Sequence, residues 1–218
     1  INQAYDSLNL DSPNNLIILG DFNWFGKLDG QTSEESQTEW DIYPQNTWNY
    51  LGSHTTDDFS GIADTEKTLF FSEYAEGSSN HKYLEIYNPT SAEVDLTEYA
   101  FPNVSNAPST QGQYEWWNTF PAGATISAGG VYIIAHPSAD ASILAKANHE
   151  FSHLSNGNDG FALVKGTESN YEIIDFIGSW HADPGSGWPI AGIANATKDN
   201  TIVRKSNIYK GNPNPWWT

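Results

Sequence analysis

Short apolar runs cut by turn signals dominate the chain and leave few folds open to it. Leu16 to Leu19, Thr68 to Ser72, Tyr83 to Tyr87, Ala124 to Ser127, Val131 to Ala135, Phe161 to Val164, Tyr171 to Ile177 and Thr201 to Arg204 are rich in β-branched and aromatic residues. Each is of strand length and too short for a helix. Gly129-Gly130, Asn88-Pro89-Thr90, Asn156-Gly157-Asn158 and Asp183-Pro184-Gly185 punctuate them with the residues that turns require. Many short strands at this spacing predict an all-β sandwich or barrel. Only residues 139–147 have a helical Ala/Leu/Lys composition, with Ser138 or Asp140 placed to cap it.

The chain has 218 residues, enough to bury a core without staples, and no Cys. Disulfides, thiolate metal sites and Cys nucleophiles are excluded. With no Met, Ile1 is not a translational start, and the chain is expected to be a processed form or a piece of something longer. No apolar run approaches the roughly 20 residues of a membrane-spanning helix. The net charge is −18, which excludes nucleic acid as a partner because that binding rests on cationic contacts. An acidic, Cys-free surface suits an extracellular or cell-surface protein in a salty medium, where salt screens self-repulsion.

From Leu69 onward the residues LFFSEYAEGSSNHKYLEIYNPTSAEVDLTEYAF, then GGVYIIAHPSAD, LSNGNDGFALVKG, IIDFIGSWHADPGSGW and TIVRKS, resemble a lamin-tail domain of the bacterial secreted type, over residues 68–206. The resemblance implies an immunoglobulin-like β-sandwich and no catalytic residues. The residues agree: Leu84 and Ile86 alternate with polar neighbours as in a strand with one buried face, Asn88-Pro89 ends it, and Gly157 and Gly160 bracket a tight turn before Phe161.

The resemblance divides the chain into an N-terminal segment (1–52), an acidic linker (53–67, SHTTDDFSGIADTEK being polar and glycine-containing) and the sandwich (68–218). The leading segment, from GDFNWFGKLDG to NTWNYLGSHT, resembles the closing strands of a lamin-tail module displaced to the front. Those strands would close a neighbouring module in a tandem array, another subunit in a fibre, or their own sandwich. A sandwich lacking its last strand exposes an edge and a groove, which an extended segment fills by strand addition. The expected interface is Trp24, Trp40 and Trp48 from the leading segment against Trp216 and Trp217. On this reading, loss of Trp40 or Trp48 weakens association while the module stays folded.

Three patterns point elsewhere. His149-Glu150-Phe151-Ser152-His153 spells H-E-x-x-H, whose two His hold zinc on one helical face while Glu activates water. Here the helical composition stops near Ala147, and a third ligand such as Glu172 would lie in a β run. Gly20-Asp21-Phe22-Asn23 resembles a motif of the endonuclease/exonuclease/phosphatase family; the site cannot be assembled from this chain, so a secreted metal-dependent hydrolase is an alternative if residues 1 to about 50 end a longer enzyme. Asp57, Asp58 and Asp64 are hard oxygen donors of the kind calcium prefers, in the linker.

Trp116-Trp117 must send one ring to each face of a strand. An exposed ring there could stack on a sugar, which makes a glycan-binding accessory module, with polysaccharide as partner, the alternative to a self-associating structural or adhesive module. Catalytic residues are expected to be none.

Overall fold

The alternation at residues 83–87 builds a strand buried on both faces, because the chain folds back over the face expected to meet solvent. The computed structural model describes residues 39–44, 46–154 and 156–216. In chain order the strands are β1 Trp40–Pro44, β2 Phe70–Glu76, β3 Lys82–Tyr87, β4 Val94–Asp95, β5 Tyr99–Ala100, β6 Asn103–Val104, β7 Thr125–Ile126, β8 Val131–Ala135, β9 His149–Glu150, β10 Gly160–Thr167, β11 Asn170–Ile177 and β12 Asn200–Arg204, with one short helix, α1, Ala141–Leu144.

One sheet has the order β1-β12-β2-β3-β8-β9; the second has β11-β10-β5, with β6 also on β10; β4 and β7 form a two-stranded ribbon. All pairings are antiparallel except β8 with β9. The chain is thus an all-β, immunoglobulin-like sandwich. Between the sheets lie Phe71, Leu84, Ile86 and Ile134 from one and Phe161, Leu163 and Ile177 from the other, with Trp188 filling the end. Gly178, at φ +73, leaves room for the Trp188 indole, which a Cβ there would meet at 2.4 Å. The ring donates to the Asp159 carbonyl (2.8 Å).

A second apolar cluster covers the outer face of the larger sheet: Leu51 and helix α1, through Ile143, pack on Ala75, Tyr83, Ile133 and Ala135. Asp140 caps α1, accepting from the Ser142 N–H at 2.8 Å. The stretch expected to be a linker begins against the same face. His54 is buried, edge-on to Phe70 and Tyr87, and the Asp57 N–H donates to the Ser206 carbonyl (2.8 Å). Residues 46–57 therefore form a strap over the sheet, which is why β3 lacks a solvent face.

The leading segment also contributes β1. Trp40 pairs with Arg204 and Pro44 with Asn200, so among the described residues the edge beside β12 is completed within the chain.

Candidate functional site

Three places on this scaffold carry more chemistry than packing needs. The first is the corner where β1, β2, β11 and β12 meet the C-terminal stretch. Arg204, buried, ion-pairs with Asp175 through Nη2 (2.6 Å to Oδ2) and with Glu39 through Nη1, while its Nε donates to the Phe71 carbonyl (3.1 Å). Asp175 also accepts from the main-chain N–H groups of Phe71 (2.7 Å) and Asn212 (2.9 Å). Burial outweighs the arginine and holds the Asp175 carboxyl above the ordinary range. Trp40 and Trp216, 4% and 1% exposed, meet edge-on here with ring centroids 6.2 Å apart. They join within one chain, so Trp40 belongs to the module's own core. Its removal strikes the fold and not an interface alone.

The second is a carboxylate pair under the strap. Glu73 and Glu85 face each other across β2 and β3, both buried. Glu85 accepts from the Gly52 N–H (2.5 Å) and the Ser72 hydroxyl (2.7 Å); Glu73 accepts from the Tyr83 hydroxyl (2.9 Å). Lys146, whose ammonium donates to the Leu51 carbonyl, is the neighbouring positive charge. Burial, then the facing Glu85, pushes Glu73 up to about 8, and burial pushes Glu85 up to about 7. Sequence reasoning missed this pair. The usable signal was Tyr83-x-Glu85-x-Tyr87, a carboxylate flanked by tyrosines on one face.

The third is an aromatic ridge on the outer face of the smaller sheet. Tyr114, Trp117, Tyr171 and Trp180 interlock at centroid distances of 5.3 to 5.9 Å. Beside them Trp116 is 60% exposed, so the two adjacent tryptophans do point different ways.

The remaining sequence patterns separate. His149 and Glu150 form β9, a strand and not the helix that the H-E-x-x-H chemistry requires. β9 ends at Glu150, and residues 151–153 belong to no helix, so no helical face brings His149 and His153 together. Asp64 accepts from the N–H and hydroxyl of Ser91 and pairs with Lys67, and Asp58 accepts from the Ser60 N–H. Among the described residues no group of three or more His, Asp or Glu is placed to hold a metal ion. Trp48 is half-buried, its indole N–H donating to the Ser142 hydroxyl (3.0 Å). Trp24, Trp217, Asp21 and Asn23 lie outside the described residues.

The sequence model of the lamin tail domain family matches residues 63–179, more than half of the chain. The chain belongs to the lamin tail domain family. No curated protein matches it. As a lamin tail domain it is an immunoglobulin-like, non-catalytic fold of the kind that serves as a structural or protein-interaction module. The matched stretch contains the carboxylate pair, Asp175 and the ridge residues Tyr114, Trp117 and Tyr171, and ends just before Trp180. Arg204, Trp40, the strap and β12 fall outside it.

Proposed function

We propose that this lamin tail domain is a structural module of an extracellular or cell-surface protein that associates with like modules by strand addition along the edge of β1 that faces away from β12 and is unpaired among the described residues. The supporting observation is main-chain polarity. The Lys205 N–H donates to the Glu39 carbonyl (2.9 Å), so residues 39, 41 and 43 turn their main-chain groups toward β12 and those of Trp40 and Ile42 point outward. Pro44 has no N–H, and its carbonyl accepts from the Thr47 N–H (3.2 Å), which limits the reach of an added strand. A two-fold pairing centred on Ile42 sets Asp41 against Tyr43 across the seam and keeps the two aspartates apart. The acidic, Cys-free composition supports the extracellular placement.

Light scattering over a concentration series tests the reading. The mass is expected to rise reversibly with concentration, and Ile42→Pro, which deletes an outward N–H in each protomer without touching a bond to β12, is expected to weaken association about thirtyfold, the value of roughly two main-chain hydrogen bonds. A mass that stays monomeric at every concentration defeats it.

The exposure of Trp116 favours a second reading, a glycan-binding platform beside the aromatic ridge. Titration of soluble polysaccharides against tryptophan fluorescence, with Trp116→Ala as the control, separates it from the first.

A further inference from the structure

At the mouth of the β2–β3 hairpin a lysine is pressed against a side-chain amide. Lys82 opens β3 and is 5% exposed. Its Nζ donates to Asn156 Oδ1 at 2.5 Å, across 74 positions of sequence. Glu76 lies directly opposite Lys82 in the strand register, buried, with Oε1 3.8 Å from Nζ. Asp159 sits in the same turn as Asn156, also buried, and feels the charge of Lys82; His136 feels it from the end of β8. The amine, the amide carbonyl and a proton acceptor are thus held together, the amine and the acceptor on paired strands, while Asn156 in its turn is exposed and gives a leaving group its way out.

We propose that Lys82 and Asn156 join through an isopeptide bond, a covalent cross-link between β3 and the turn before β10. The ammonium of Lys82 gives a proton to Glu76. The free lone pair on Nζ attacks Cγ of Asn156, the new C–N bond forms, and the carbonyl electrons move onto Oδ1. When they return, the Cγ–Nδ2 bond breaks. Nδ2 takes one proton from the attacking nitrogen and the one held by Glu76, and departs as ammonium. The balance is one ammonium and one primary amide in, one secondary amide and one ammonium out, with no oxidant or cofactor. Glu76 suits the shuttle, because burial holds its carboxyl above the ordinary range. Proximity supplies the rest: two groups fixed in contact react as one molecule. In a chain without cysteine, such a bond performs the cross-linking that a disulfide would otherwise provide.

The experiment is the intact mass of the purified full chain, followed by digestion and fragment sequencing. The expected mass is one ammonia below that of the sequence, with a branched peptide joining Lys82 and Asn156. Lys82→Arg, Asn156→Ala and Glu76→Gln are each expected to restore the full mass. Because Asn156 precedes Gly157, a cyclic imide would also lose ammonia. It is cleaved by hydroxylamine and survives in Lys82→Arg, and finding it in place of the branched peptide overturns the proposal. An unaltered mass, or a mass one unit higher from hydrolysis of the amide, overturns it equally. If Lys82→Arg fails to fold, the presence or absence of the branched peptide in the parent chain decides.

Discussion

The guanidinium of Arg204 lies 4.1 Å from the centroid of the Trp40 ring while its Nη2 donates to both carboxylate oxygens of Asp175. One cation thus ties the first described strand to the last and both to the second sheet. Removing it leaves Asp175 charged, buried and short of its partner, a loss of about 3–5 kcal/mol. Arg204→Leu should lower the urea midpoint accordingly. Arg204→Lys, which keeps the charge but not the forked geometry, should recover less than half of the loss. If Arg204→Leu unfolds at the parent midpoint, the corner is not a stabilising element.

Glu73 offers a pH test with a definite sign. Its folded pKa, about 8, lies above the ordinary carboxylate value, so between about pH 4.5 and 8 the folded state holds a proton that the unfolded chain has released. Its contribution is full below that window and falls as pH rises, by about 1.4 kcal/mol per pH unit for one proton. Glu73→Gln removes that titration. The difference in unfolding free energy between the two chains should shift in favour of Gln from pH 5 to 8 and level off above. Parallel stability curves would show that Glu73 ionises normally.

Adjacent tryptophans should behave oppositely. Trp117→Ala opens the ridge formed with Tyr114 and Tyr171 and should cost about 2–4 kcal/mol. Trp116→Ala, at an exposed ring, should stay within about 0.5 kcal/mol of the parent. Thermal unfolding of the two variants side by side is sufficient, and equal losses would contradict the exposure difference.

Gly160 has backbone for its neighbour: a Cβ there would meet the Ser179 carbonyl at 2.3 Å. Gly160→Ala must push β10 away from the end of β11, whereas Gly61→Ala meets nothing within 4 Å. Circular dichroism melts should show a fall in Tm of several degrees for the first, from a loss of about 1–3 kcal/mol, and none for the second.

Strands that carry their own apolar run were readable without the fold. Residues 131–135 agree residue for residue, and 83–87, 171–177 and 201–204 agree to within one residue at the N-terminal end. The pieces that were not readable depend on distant partners. β1 is a five-residue strand ending in proline, and only β12, about 160 positions later, makes it a strand. Glu73 and Glu85 read as the polar phase of half-exposed strands, because nothing local announces that residues 46–57 will cover them. Asp175 lies in a run legible as a strand, but its role depends on Arg204.

The pairing of β1 with β12 also sets how the domain would meet force. Trp40 lies opposite Arg204, so β1 begins beside the place where β12 ends. Tension drawn from the two flanks of this pair arrives at the same rung and opens the ladder one bond at a time, as a zip opens, instead of sliding the strands past each other all at once. That first rung is the one held by the arginine, two carboxylates and two indoles. Resistance to pulling is thereby concentrated at a single fastening, and its failure would release β1 before the sandwich behind it has to yield.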